Sequence, residues 1–112
     1  MDVFAALADP TRRRVLDLLR RRERAAGEFA TEFPKLSQPA ISRHLRVLRE
    51  ARLVSVRPSE QRRVYSLRPE GLAVIDAWLA EYRHFWQTQL DALEKHLDTR
   101  HPASPTRKKV KR

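Results

Sequence analysis

The chain has 112 residues, with 24 lysines and arginines against 14 acidic residues, for a formal charge of +10. That is the length of one domain with a modest core, and the charge favours a polyanionic partner. There is no cysteine, which excludes disulfides and thiolate metal sites. No apolar run reaches membrane-spanning length and no signal-peptide pattern opens the chain, so a soluble cytoplasmic protein with no membrane partner is expected.

The charge is unevenly spread. Residues 1–40 carry +2 and residues 41–68 carry +6, while residues 69–97 carry −3 and residues 98–112 carry +5. The excess sits in the middle of the chain and at its end.

Val3, Phe4, Leu7 and Ala8 predict a short first helix. Asp9-Pro10 is a start signal, an acidic cap followed by proline at the first helical position. The helix it opens runs to about Arg22 and buries Val15, Leu18 and Leu19. Arg12, Arg13 and Arg14 fall in its first turn, where the macrodipole favours acids. Nearby phosphates would make them tolerable, and three solvated arginines are the competing reading. Residues 25–33 form the third expected helix, with Phe29 and Phe33 inward and Gly27 weakening it.

Pro34-Lys35-Leu36 is a short turn leading to Ser37, whose hydroxyl suits a helix N-cap. Pro39 lies early enough in the next helix for its missing N–H not to matter. In that helix, about residues 37–51, Ile41, Leu45 and Leu48 form one apolar stripe. Gln38, Ser42, Arg43, Arg46 and Arg49 occupy the rest of the surface, side chains that pair with bases and phosphates. Taken alone, the helix reads equally well as an amphipathic helix with a solvated basic face. Two helices joined by three or four residues, the second polar and basic, have helix-turn-helix spacing.

After Ala51 the apolar period drops to about two. Val54 and Val56, then Tyr65 and Leu67, flank the turn material Pro58-Ser59-Glu60-Gln61 and predict a β-hairpin with Arg57, Arg62 and Arg63 near its tip. Such a hairpin is a wing for the DNA backbone or minor groove, or else a cover for the core. Pro69 starts a long helix to about Leu97. Ile75, Leu79, Tyr82, Trp86, Leu90 and Leu93 repeat at spacings of three and four, broadened by Trp78 and Phe85. So much aromatic surface on one helix of a small domain implies a second copy, a homodimer whose interface also takes in Phe4. A ligand pocket among Trp78, Tyr82 and Trp86 is the weaker alternative. Residues 98–112 read as a basic disordered tail.

The fold expected is therefore mainly α with a β-hairpin wing (α+β). It is a winged helix-turn-helix over residues 1–97 whose last helix, about 69–97, dimerises. The motifs Ala6-Leu7-Ala8-Asp9-Pro10-Thr11-Arg12 and Leu36-Ser37-Gln38-Pro39-Ala40-Ile41-Ser42-Arg43-His44-Leu45, followed by Val47-Leu48-Arg49-Glu50-Ala51 and Leu53-Val54, carry a resemblance to the ArsR/SmtB-type winged-helix regulators over roughly residues 2–97. The resemblance implies a homodimeric, operator-binding repressor. It also implies base contacts from Gln38, Pro39, Ser42 and Arg43. Phosphate contacts would come from Thr11, Arg12, Ser37, His44, Arg46, Arg57, Arg62, Arg63 and Tyr65. His44 borders the apolar stripe, so a packed, hydrogen-bonded histidine stays open.

Many such regulators sense metals, and here the ligands are missing. No thiol lies in residues 25–31. Trp78 stands two residues after Asp76, where a metal-sensing terminal helix has histidine, and the later positions are Gln89 and Ala92. His84, His96 and His101 do not share a helical face and read as surface histidines. The chain resembles a metal-independent branch, with no metal and no cofactor expected. Two family glycines are replaced as well. Arg52 follows the recognition helix, and the wing tip has no glycine, which predicts a longer or looser turn.

The competing function is a winged-helix protein-interaction module without sequence-specific DNA binding. RNA binding is disfavoured because no stacking aromatics lie on the basic face. Catalysis is disfavoured because Ser42 and His44, two apart on a helix, do not face each other and no carboxylate pair or phosphate loop appears.

Overall fold

Aspartates open the first two helices. In the computed structural model, which describes residues 2–100 with the side chains of 99 and 100 excepted, α1 spans Val3–Leu7 and Asp2 Oδ1 accepts from the Ala5 amide at 2.7 Å. The second helix, α2, spans Pro10–Arg21, and Asp9 Oδ1 accepts from the amides of Thr11 (2.7 Å) and Arg12 (3.3 Å). Each cap satisfies amides that have no partner within the helix. Val15, Leu18 and Leu19 of α2 are buried as the periodicity requires.

Next comes a strand the apolar pattern does not reveal, β1 (Arg24–Ala25). The third helix, α3, therefore begins at Ala26 and ends at Glu32, and the Glu28 carboxylate reaches back to accept from the Ala25 amide at 2.9 Å. The fourth helix, α4, spans Gln38–Glu50 behind Ser37, whose Oγ accepts from the Ala40 amide at 3.2 Å. Ile41, Leu45 and Leu48 are its buried stripe.

The helix stops in a Schellman motif. Arg52 N–H donates to Arg49 O and Leu53 N–H to Leu48 O, each at 3.0 Å, and Arg52 takes the left-handed conformation at φ 62°. The apolar contact that accompanies such a cap falls between Leu48 and Leu53, both fully buried. Holding arginine rather than glycine there costs about 1 kcal/mol.

The hairpin pairs β2 (Val54–Ser59) with β3 (Arg62–Leu67), and β3 also pairs with β1, giving an antiparallel sheet in the order β1-β3-β2. Ser59 stands opposite Arg62, so the turn is only two residues, Glu60-Gln61. That corrects the expectation of a longer or looser turn: Glu60 adopts φ 60° and supplies the positive φ usually left to glycine. Pro58, which has no amide to donate, lies on the outer strand, where that is tolerated.

The core gathers α2, α4, the sheet and Phe29, with Phe29, Leu48, Leu53 and Val54 its largest fully buried side chains. Truncating one of the leucines to alanine costs about 2–5 kcal/mol. The carboxylate of Glu32 lies between Arg14 (3.7 Å) and Arg24 (3.6 Å), joining α2, α3 and β1. Arg24 is buried, and its Nε is without a hydrogen-bond partner among the described residues.

The last helix, α5, spans Pro69–Arg100, so residues 98–100 of the expected tail are helical and the remainder lies outside the described residues. Contacts divide the chain into one compact unit, Met1–Ala77, and a second that begins at Trp78. No helix among the described residues is long and apolar enough to cross a membrane.

Candidate nucleic-acid interface

At 100° per residue, the side chains of α4 opposite its buried stripe are Pro39, Arg43, Arg46 and Glu50, all exposed. Gln38, Ser42 and Arg49 occupy the flank toward β3. With Arg46 from α4 and with Arg63 and Tyr65 from β3, they line a cleft of about 310 Å³ between helix and wing. Arg43, Arg46, Arg49, Arg62 and Arg63 make no hydrogen bond or ion pair within the protein among the described residues. Five guanidinium groups thus face solvent around one helix and one hairpin. Arg49 lines the cleft although the sequence singles it out only as part of a basic face. Its 20° offset from Gln38 on the helical wheel, toward the later strands, was the available signal.

Several other cations are already engaged within the protein. Arg57 on β2 is held by Glu23 at 2.7 Å, so one expected phosphate contact already has an anion. Arg22 pairs with Glu28 at 2.8 Å. That guanidinium, together with the Ala25 amide, holds the Glu28 carboxyl below its ordinary pKa.

The arginines at the start of α2 serve the end of α1. Arg12 Nε donates to Ala6 O at 2.7 Å and Nη2 to Ala5 O at 3.3 Å, while Arg13 Nη1 donates to Leu7 O at 2.7 Å. These carbonyls close a helix, where intrahelical amide donors run out, although Ala5 O also accepts from the Ala8 amide at 3.2 Å. Basic residues stand where the dipole of α2 disfavours them because the C-terminus of α1 favours them more. The Arg12 side chain is 13 % exposed and lies 4.0 Å from Asp9, so it sits inside the protein instead of at its surface. Its third nitrogen, Nη1, meets His44 Nδ1 at 3.2 Å, which makes His44 the hydrogen-bonded histidine left open by the sequence. Burial by itself would raise the Asp9 carboxyl. The amides of Thr11 and Arg12 outweigh it, aided by the neighbouring side chains of His44 and Arg12, and hold Asp9 below its ordinary value.

Tyr65, expected at a phosphate, lines the cleft between helix and wing but is only 7 % exposed and packs edge-on against Phe29 with ring centroids 6.1 Å apart. Strict alternation fails there because β3 is the central strand and is packed by α2 and α3 as well as by β1 and β2. Val64 and Tyr65, adjacent in sequence, are both buried.

Gln38, Pro39, Ser42 and Arg43 are exposed, as is Ser37, and Thr11 is half-buried. On α5, Trp78, Tyr82, Phe85, Trp86, Leu90 and Leu93 are exposed, Phe85 by 65 %, and the rings of Trp78 and Tyr82 lie 4.9 Å apart. Phe4 is exposed too. Leu79 is half-buried, and Ile75 packs against the core. Among the described residues no three histidine, aspartate or glutamate side chains converge as a metal site would require.

A helix-turn-helix whose second helix turns free cations outward, followed by a basic hairpin, defines the winged helix-turn-helix class of DNA-binding regulators. The sequence profile described as "Bacterial regulatory protein, arsR family" matches residues 9–56. The HTH-type transcriptional regulator Rv2034 of Mycobacterium tuberculosis is 43 % identical over 96 residues, which are 86 % of either chain. The transcriptional repressor SdpR of Bacillus subtilis is 38 % identical over 81 residues, 72 % of this chain and 89 % of SdpR. A crystal structure described as a possible transcriptional regulator for arsenical resistance superposes with a TM-score of 0.66 at 42 % identity, covering 86 % of this chain and 96 % of the other. The chain belongs to the arsR family and is a DNA-binding transcriptional regulator, not an enzyme.

Proposed function

We propose that the protein is a sequence-specific transcriptional repressor that binds operator DNA as a homodimer and needs no metal. The observation that carries this reading is the set of free guanidinium groups on α4 and β3, arranged around a helix of major-groove size and a wing. On this reading α4 enters the major groove, where Gln38, Pro39, Ser42 and Arg43 meet base edges. The wing follows the backbone toward the minor groove. The cleft between them seats the phosphodiester strand that separates the two grooves, with Arg46, Arg49 and Arg63 as its counter-charges and Arg62 beyond. Ser37, Thr11 and, once released from Glu23, Arg57 add backbone contacts.

Dimerisation is supported by the row of exposed aromatic and leucine side chains on α5, an apolar surface that a lone soluble domain rarely carries. A second copy covers Trp78, Tyr82, Phe85, Trp86, Leu90 and Leu93, with Leu79 and Ile75 of the same helix, and we assign Phe4 of α1 to the interface as well. Residues 69–97 act as the dimerisation helix of a single domain over 1–97. The acidic character of that stretch keeps it off DNA. Repression is favoured by the likeness to SdpR, a protein named as a repressor. Metal independence rests on the donor set, which lacks thiols and has Trp78, Gln89 and Ala92 where ligands would stand. The protein would act in the cytoplasm, where bacterial DNA lies.

The test is fluorescence anisotropy on a labelled duplex from upstream of the protein's own gene, with a scrambled duplex of equal length, at several salt concentrations. The expected result is saturation at one dimer per site with a clear preference over the scramble, without added metal. Equal, strongly salt-dependent binding to both would remove the sequence-specific reading at that site. No binding to either at low salt would overturn the DNA-binding role in favour of a protein-interaction module.

A further inference from the structure

One guanidinium plane joins three elements at the edge of the proposed DNA face. Arg12 of α2 donates to the last carbonyls of α1, Ala5 O and Ala6 O, and its remaining terminal nitrogen lies 3.2 Å from His44 Nδ1 on α4. The fork is rigid and planar and offers only donors. Nδ1 therefore accepts, and the imidazole is neutral with its proton on Nε2. That second nitrogen has no partner among the described residues and is not among the buried unpartnered atoms, so it opens to solvent.

We propose that Arg12 is a positioning residue for DNA binding: it holds His44 Nδ1 so that the Nε2–H is presented as a neutral donor to a backbone phosphate. This rests on the DNA-binding reading above and changes the role expected for Arg12 from the sequence. Arg12 does not itself meet the phosphate on this proposal, because each of its three nitrogens is already engaged within the protein and its side chain is only 13 % exposed. The arrangement follows that of oriented histidines elsewhere, where the partner of one ring nitrogen fixes what the other can do. It also ties α1 to the recognition helix through a single side chain.

The two roles differ in salt dependence. A direct cation–phosphate contact releases counterions, so its loss lowers the slope of log K against log salt by about 0.9. A neutral Nε2–H releases none. Arg12→Gln is therefore expected to weaken binding to a random-sequence 30-base-pair duplex about five- to tenfold, the worth of one lost hydrogen bond, with the slope unchanged. His44→Gln places an amide N–H near the position of Nε2 without needing Arg12, so Arg12→Gln in that background is expected to cost nothing further.

Long-range ¹H–¹⁵N spectra of the free protein read the same contact without DNA. His44 is expected to show an unprotonated Nδ1 shifted by hydrogen bonding, and Arg12→Lys, which keeps the charge but loses the fork, to return it to the position of a free imidazole. A proton on Nδ1 in the wild type, a resonance unmoved by Arg12→Lys, or a salt slope lowered by Arg12→Gln would each overturn the proposal while leaving DNA binding intact. A wild type that binds no duplex at low salt would overturn the functional reading and this role with it. Circular dichroism and thermal melting of each variant separate these outcomes from unfolding.

Discussion

The amide of Gly71 donates to the carbonyl of Arg52 at 2.9 Å, and a Cβ on Gly71 would stand 2.7 Å from that same oxygen and 2.8 Å from Leu53 Cδ2. The left-handed corner that ends the recognition helix thus lies directly against the first turn of α5, and Arg68 N–H adds a bond to Leu53 O at 2.9 Å. The nearest atom is a backbone oxygen, so moving a side chain alone cannot make room. Gly71→Ala is expected to destabilise the protein by about 1–3 kcal/mol, read as a lower urea midpoint with an unchanged m-value.

Arg43 points away from the buried stripe of α4 and has no protein partner among the described residues. Arg43→Ala is expected to cost about 1–3 kcal/mol of operator affinity and to relax the preference over scrambled DNA, as loss of a bidentate base contact does. Equal loss on both duplexes in the anisotropy titration would make Arg43 a phosphate contact instead.

On the proposed DNA-binding reading, Glu23 competes with DNA for Arg57 of the wing. While it holds Arg57 at 2.7 Å, that guanidinium contributes little to phosphate attraction. Glu23→Gln is expected to raise affinity for any duplex modestly and to steepen the salt slope by about 0.9 as one more cation becomes available. An unchanged slope would place Arg57 out of reach of the backbone.

Acid should weaken the fold through its caps. The carboxyls of Asp9 and Glu28 are both held below their ordinary values, so each binds its proton less readily in the folded chain than in the unfolded one. The stability they lend is complete above the ordinary carboxylate range and is lost as pH falls through the lowered values. Asp9→Ala is expected to cost about 1 kcal/mol at neutral pH and progressively less toward pH 2, so that its melting curve and that of the wild type converge in acid.

Trp86 lies in the exposed row on α5. Alanine suits a helix at least as well as tryptophan, so Trp86→Ala should leave the protomer folded. It is expected to weaken self-association by about 2 kcal/mol or more, visible as a shift toward monomer in sedimentation velocity. An intact dimer would count against this face as the interface.

Much of the fold could be read from local pattern. The Ser37 cap, the stripe of Ile41, Leu45 and Leu48, and Asp9-Pro10 are short-range signals, and the helices start where those signals stand. Residue 52, where the resemblance has glycine, is left-handed at φ 62°, a corner set by the fold that arginine tolerates at a cost. What could not be read depends on partners distant in sequence. Two residues, Arg24 and Ala25, have no period of their own and become a strand only by pairing with Val64 and Tyr65. The same pairing, with α2 and α3 against β3, buries Val64 beside Tyr65, although alternation puts only Tyr65 and Leu67 on the apolar face. Arg12 was legible as a cation but not as a cap for α1, since that role needs the corner between α1 and α2. Glu23 opposite Arg57 likewise joins residues 34 apart.

The order β1-β3-β2 leaves the sheet with two outer edges, and neither offers much to a stranger. One is only two residues long. The other carries Pro58, which lacks an amide, next to the charge of Arg57. A chain concentrated locally by its attraction to DNA would otherwise be exposed to strand-by-strand zippering between neighbours. With both edges blunted, copies that crowd along a duplex can meet through their helices without seeding a sheet that runs from one molecule into the next.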